Sequence, residues 1–125
     1  MTRPMHVSAR TRQAYLYSTS KFTFLVNSAE SGGHSCTMEV VSPPGEGANP
    51  HTHQDADEQF YVLAGTATFL VGGETYHVVP GDVVYIPRGT LHSFKADAAP
   101  ARMLATFTPG GIEAAFLAGS TPITD

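Results

Sequence analysis

Glycine and proline cut this chain into short pieces, and that punctuation favours a fold of brief strands and tight turns. The twelve Gly and nine Pro fall between apolar runs rich in Val, Phe, Tyr and Thr, which suit pleated, half-buried strands. Tyr15-Leu16-Tyr17 opens a first strand. Lys21 to Asn27 and His34 to Val41 read as two more, with a turn over Ser28 to Gly33 and a stop at Ser42-Pro43-Pro44-Gly45. Glu58 to Val71 is a long strand-like run broken at Ala64-Gly65. Gly72-Gly73 is a two-residue hairpin signal, from which Thr75 to Val79 returns. Val83 to Ile86, Leu91 to Lys95 and Arg102 to Thr108 complete the set. Strands at intervals of roughly ten residues predict an all-β sandwich or barrel. The one helix expected, residues 112–118, lies between Gly111 and Gly119, with Ile112, Ala115 and Phe116 on one face.

At 125 residues the chain fits one domain around one core. Residues 1–14 are expected as a flexible arm, 15–119 as the barrel with its helix, and 120–125 as a tail. Net charge is -4, and the only lysines are Lys21 and Lys95, so no basic stripe is available to neutralise phosphates. Nucleic acid is therefore not an expected partner. No apolar run approaches the ~20 residues that span a bilayer, so no membrane association is expected either. A single cysteine, Cys36, excludes an internal disulfide and fits a reducing compartment. Met1 to Arg12 is polar and contains no apolar h-region. A cytoplasmic protein is the default expectation.

Four residues carry the chemistry: His51, His53, Glu58 and His92. The first three lie in Gly45-x5-His51-x-His53-x4-Glu58-x6-Gly65, and the fourth closes Gly81-x5-Pro87-x-Gly89-x2-His92. Residues two apart on a strand point the same way, so His51 and His53 are expected to project from one face. Glu58 begins a row continued by the apolar Phe60 and Val62. A carboxylate in a core-facing row is costly unless a cation or metal pairs with it. His92 comes from another strand, aimed by the turn at Pro87 and Gly89. Three imidazoles and a carboxylate form a full ligand set for one divalent transition metal ion, with open positions left for substrate. No thiolate is present, so the set does not select a soft metal, and Ni, Fe, Mn, Co, Cu and Zn all fit.

Other polar residues have plainer readings. His6 is expected in the arm, His34 in a turn and His77 in a hairpin strand. Cys36 is expected buried and inert. Asp55 and Asp57 flank the ligand loop, in solvent or supporting His51 and His53 from behind. Arg88 is expected at the surface, with anchoring of an acidic substrate group as the alternative. Phe22, Phe24, Met38, Phe60, Val62, Phe69, Tyr76, Phe94, Met103 and Phe107 form the pool from which an apolar wall beside the ion is drawn, which favours an organic substrate.

The two motifs resemble the signature motifs of the cupins, and the intervening strands agree. The resemblance implies a small double-stranded β-helix, a jelly-roll-type barrel, that binds one metal ion at His51, His53, Glu58 and His92. Cupins often place Asn four residues after the last histidine, where this chain has Ala96. A narrower resemblance is carried by Pro50-His51-x-His53, Glu58-Gln59-Phe60-Tyr61-Val62-Leu63-x-Gly65, Pro87-Arg88-Gly89-Thr90-x-His92-Ser93-Phe94 and Thr108-Pro109-Gly110-Gly111. These resemble single-domain quercetinase-like cupins and the small cupins of aromatic polyketide biosynthesis. What they imply is a dioxygenase acting on a flavonol or similar enolisable phenolic substrate, with Glu58 as ligand and general base. Two alternatives stay open: a non-redox cyclase, isomerase or lyase on a polyketide-like substrate, and a small-ligand-binding cupin without catalysis. The partner expected is a small aromatic or polyketide-like molecule. A homodimer is expected by resemblance, with the strand at Tyr15 to Tyr17 able to be lent to the second copy.

Overall fold

A computed structural model of the chain describes residues 2–124. Its elements run β1 (Ala14–Tyr17), β2 (Ser20–Val26), β3 (Cys36–Ser42), β4 (Gly47–His51), β5 (Asp57–Ala64), β6 (Ala67–Val71), β7 (Glu74–Val78), β8 (Val83–Ile86), β9 (His92–Ala96), β10 (Ala101–Thr108), α1 (Glu113–Leu117) and β11 (Ser120–Pro122). One sheet has the order β11-β1-β2-β3-β10-β5-β8 and the other β4-β9-β6-β7. The architecture is the all-β, jelly-roll-type barrel with one short helix. None of the described helices is long and apolar enough to cross a membrane.

Period-2 alternation decides which side chains enter the core. On β5, Glu58, Phe60 and Val62 are buried while Gln59 and Tyr61 are exposed. Cys36, Met38, Val40 and Ser42 face inward from β3, and Ala101, Met103, Ala105 and Phe107 from β10. Strand register aligns them in rows: Glu58 pairs with Phe107, which pairs with Cys36. One row further in, Phe60, Ala105 and Met38 line up. The second sheet answers with Phe69 and Phe94, whose rings lie 5.1 and 5.4 Å from Phe60. Fully burying side chains of this size contributes roughly 1.5–3 kcal/mol each, so this cluster clamps the sheets together.

The run Glu58 to Val71 breaks at Gly65 as expected, into two strands on different sheets, because Gly65 turns the chain at φ +75° where a Cβ would overlap the carbonyl of Pro100. Two boundaries differ from the sequence expectation. β4 was not foreseen. Its Gly-Ala-Asn-Pro-His sequence has little strand propensity, yet Gly47 lets its backbone lie against Phe94 on β9, and a side chain there would collide with the Phe94 carbonyl. The segment expected as a tail, 120–125, contributes β11, and Ile123 N–H donates to the Ala14 carbonyl at 2.9 Å. β1 therefore sits between β2 and β11 of its own chain. In the expected arm, a 3-10 turn over Ala9–Thr11 touches β2, and Arg12 pairs with Glu30 at 2.7 Å. Met1 and Asp125, the ends of arm and tail, lie outside the described residues.

Candidate metal centre

His51 is the last residue of β4 and pairs in register with His92, the first residue of β9. This single pairing joins the two sequence motifs. The expectation that His53 continues the same strand is corrected: β4 ends at His51, and His53 lies in the following loop. The loop is held by a backbone bond from Gly89 N–H to the His53 carbonyl at 2.8 Å, which ties the ligand loop to the Pro87-Gly89 turn. Glu58 enters from the opposite sheet on β5. His51, His53, Glu58 and His92 thus converge, with one donor atom from each lying within 4.8 Å of the others.

The hydrogen bonds fix which nitrogens are free. His51 Nδ1–H donates to the Asn49 carbonyl at 2.6 Å, and His92 Nδ1–H donates to the Thr90 carbonyl at 2.8 Å. Both rings therefore turn Nε2 inward with its lone pair available. His53 Nε2 is buried and has no hydrogen-bond partner among the described residues. Leaving a buried polar atom unpaired costs about 1–3 kcal/mol. Glu58 Oε1 sits 3.1 Å from His92 Nε2 and 3.5 Å from His53 Nε2. With Nδ1–H engaged, a neutral His92 points a lone pair at a carboxylate oxygen, and that contact is repulsive unless a proton or a cation lies between. Neighbouring ligands on an ion with bonds of ~2.1 Å are roughly 3 Å apart, so these spacings suit a shared divalent metal.

Burial shapes the titration of the site. It holds the His53 imidazole down at about 4, assisted by repulsion from His51 and His92, and lowers His51 as well. A neutral imidazole is the form that ligates metal. Glu58 is 3% exposed, and burial raises its carboxyl above the ordinary value against the pull of His92. For His92, burial works downward, but hydrogen bonds to Glu58 and Thr90 outweigh it and the net direction is up. The net upward direction of both groups means that each holds a proton more tightly than an ordinary carboxyl or imidazole, at the place a cation would take. Every feature fits a cation-binding pocket.

Beside this cluster lies a cavity of about 560 Å³. Of the ten side chains proposed as its apolar wall, Phe22, Met38, Phe60 and Phe94 line it, joined by Val40. Phe69, Val62, Met103 and Phe107 pack behind the lining, Phe24 is half-buried against Phe22 at 5.2 Å without lining the cavity, and Tyr76 faces outward at 41% exposure. The helix supplies Ala115 and Phe116, two of the three residues expected on one face. The Phe116 ring lies 5.8 Å from Phe107 and 6.4 Å from His53, capping the metal end. Arg88 does not line the cavity. It reaches Asp57 instead, through its backbone N–H at 2.9 Å and Nε at 3.2 Å. This bond links the residue before Glu58 to the turn before His92. His6 and His34 stand apart from the cluster, and His77 meets Thr68 on the outer surface. Sequence reading missed the carbonyls of Asn49 and Thr90, which orient two ligands. No side-chain pattern reports a backbone acceptor.

The cupin-domain family profile matches residues 38–107 of the chain. Quercetin 2,3-dioxygenase of Bacillus subtilis is 32% identical over 84 residues, which cover 67% of this chain and 25% of that enzyme. An uncharacterised protein of Streptomyces coelicolor is 40% identical over 60 residues, 48% of this chain and 54% of the relative. The chain thus spans a quarter to about half of the length of these relatives. Among solved structures, the polyketide cyclase RemF from Streptomyces resistomycificus superposes with a TM-score of 0.74 at 22% identity, covering 85% of this chain and 80% of that one. KdgF from Halomonas sp. superposes with a TM-score of 0.78 at 18% identity, covering 90% and 99%. These two likenesses concern the fold. With a family match across more than half of its length, containing all four converging residues, the chain belongs to the cupin family.

Proposed function

We propose that this cupin is a metal-dependent, quercetinase-like dioxygenase acting on a flavonol or similar enolisable phenol. The observation that carries the reading is Glu58: a buried carboxylate that lines a cavity with an aromatic wall, against three inward-facing imidazoles. The 32% identity to the Bacillus subtilis quercetin 2,3-dioxygenase supports it. His51, His53, Glu58 and His92 would hold the ion. When bound, it supplies Lewis acidity and, if redox-active, electron transfer toward dioxygen.

The protein's own residues do the rest. Phe22, Met38, Phe60 and Phe94 hold a flat aromatic body and exclude water. Glu58 accepts the proton of the substrate hydroxyl, a step that contributes about 10²–10⁴ in rate when the base is well placed. His51 and His92, locked by Asn49 and Thr90, keep the site open toward the cavity without turning. The test is oxygen uptake by metal-loaded protein given a flavonol. Uptake that disappears in His53→Ala supports the reading. Absence of uptake with Ni, Fe, Mn, Co and Cu forms alike overturns it.

A second reading uses the same base without oxygen: a cyclase, isomerase or lyase on a polyketide-like substrate. The likeness in fold to the polyketide cyclase RemF favours it. Anaerobic turnover, and zinc in the purified protein, separate it from the first. We further propose a homodimer, for which Tyr61, Val83 and Tyr85 on the outer face of the large sheet, each at least 43% exposed, offer an apolar patch. Light scattering that returns a monomer mass removes this proposal. A reducing, cytoplasmic compartment accords with the free, buried Cys36.

A further inference from the structure

The cavity is not apolar throughout. At the end away from the metal cluster, Ser20 of β2 lines it, and the Ser20 hydroxyl lies 2.8 Å from that of Ser42 on β3. Ser42 is fully enclosed, at 0% exposure, and Ser20 is 9% exposed. Tyr17, Ser18, Glu46 and Lys95 also line the cavity, while Ser42 lies behind the lining. A buried hydroxyl is costly to leave unpaired, so the direction of the Ser20–Ser42 bond matters. Ser42 makes no other side-chain hydrogen bond among those of the described residues. If Ser20 donated to Ser42, the Ser42 proton would be sealed in the core without an acceptor. If Ser42 donates to Ser20, the only proton left over is that of Ser20, and it faces the cavity. The second arrangement leaves no buried donor unpaired.

The two polar ends are far apart. Cys36 stands in the same row as Glu58, through Phe107, and Ser42 is six residues further along β3. At ~3.3 Å per residue that is roughly 20 Å along the strand, an upper limit because the sheet twists. A cavity of about 560 Å³ stretched over that length has a cross-section on the order of 30 Å², which admits a flat, elongated ring system. Phe22, Val40 and Met38 occupy the wall between the ends.

We infer that Ser20, oriented by Ser42, is a specificity subsite that donates a hydrogen bond to an oxygen at the distal end of an elongated aromatic ligand. The inference deepens the function proposed above and rests on it for the ligand class. The ligand it selects carries one oxygen pair at the metal end and a second hydroxyl or carbonyl at the far end of its long axis.

The experiment is an anaerobic titration of nickel-loaded protein with two flavonols, one unsubstituted and one bearing a hydroxyl on the ring farthest from the enol. One neutral hydrogen bond corresponds to a preference of about fivefold to tenfold. Wild-type protein is expected to bind the hydroxylated flavonol more tightly by that factor. Ser20→Ala is expected to erase the preference while leaving the unsubstituted flavonol within about twofold. Ser20→Cys, nearly isosteric and a weak donor, is expected to do the same. Ser42→Ala keeps the cavity lining and is expected to diminish the preference partially. Equal affinities in the wild type, a preference that survives in both Ser20 variants, or no binding of either flavonol overturns the inference. Admitting air to the same samples separates the two proposals. Ser20-dependent binding without oxygen uptake removes only the dioxygenase reading. Oxygen uptake that ignores Ser20 and the distal hydroxyl removes only this one.

Discussion

Asp57 and Glu58 are consecutive acids on one strand, and the pleat sends them to opposite worlds. Asp57 faces solvent, where the Arg88 side chain and backbone N–H hold its carboxyl below the ordinary value. Glu58 faces the core, where burial raises its carboxyl and three imidazoles gather around it. The two carboxylates differ by one position and one methylene, yet one is a clasp and the other a site. Chemical type alone does not separate them; the face of the strand does. A third acid, Glu113 at the start of α1, falls between. Burial pushes its carboxyl up, but hydrogen bonds from the Ser28 hydroxyl and backbone N–H outweigh it and the net direction is down.

The contrast breaks first at Glu58. Glu58→Gln removes the charge that three neutral imidazoles cannot replace, and metal affinity is expected to fall by more than about 100-fold. Elemental analysis after dialysis measures this directly. A metal bound at 1,000 times its dissociation constant adds about 4 kcal/mol of stability, so chelation is expected to lower the melting temperature of wild-type protein by roughly 10–20 °C. In Glu58→Gln the chelator is expected to change almost nothing. A variant that keeps its metal and its chelator-sensitive melting would place Glu58 outside the ligand set.

Glu113 sharpens the comparison through pH. Its folded carboxyl lies below its unfolded one, so it binds fewer protons in the folded state. Its contribution is therefore present above the unfolded value, near 4.5, and is lost as pH falls through the lower folded value. Glu113→Gln is expected to lower the melting temperature by several degrees at pH 7 and by progressively less once the pH falls below the folded value of the carboxyl. Equal losses above and below that value would show that the side chain packs without its charge mattering. The same variant loosens α1 and the Phe116 cap over His53, so faster exchange of the α1 amides is expected with it.

Asp57 gives a smaller effect. Exposed ion pairs are worth little, and the pair with Arg88 is open to solvent on both sides. Arg88→Ala is expected to shift the melting temperature by no more than about 2 °C in low salt and to leave metal content unchanged. Loss of metal in this variant would promote the clasp to a necessary support of the Glu58 and His92 elements. Arg88→Lys, which keeps the charge but loses the forked geometry, then tells whether charge or shape is responsible.

How much of this was readable in the residues follows from which forces are local. Gly65, Gly72-Gly73 and the Pro87-Gly89 turn announce themselves, because backbone conformation at a glycine or proline is a local property. His51, His53, Glu58 and His92 were readable because a ligand set is a pattern of residue types. β4 was not, since its pairing depends on Gly47 meeting the Phe94 backbone nearly fifty residues away. The same holds for β11, which is short and polar and owes its strand form to β1. The face of the helix carrying Ala115 and Phe116 was legible from spacing. That its target is the cavity beside His53 was a tertiary fact. Tyr76 illustrates the converse: an aromatic residue in a strand, placed in the wall pool by type, lies on the outside because its hairpin presents that face to solvent.

Cys36 provides the finest form of the comparison, because it shares an inner row with Glu58 yet does not line the cavity. Burial pushes its thiol up to about 12, with the nearby Glu113 carboxylate adding to the shift. At pH 8 a thiol at that value is about one part in 10⁴ thiolate, against a substantial fraction for a free cysteine. Native protein is therefore expected to show no measurable reaction with a chromogenic disulfide reagent over an hour, while urea-unfolded protein releases one equivalent at once. Because Glu113 contributes repulsion, Glu113→Gln is expected to bring the native reaction into the measurable range on longer incubation, in step with the loosening of α1. Labelling of the native wild type as fast as in urea would mean that the row containing Glu58 is reachable from outside the cavity. In that case Glu58 would owe its raised basicity to something other than burial, and the contrast with Asp57 would need a different cause.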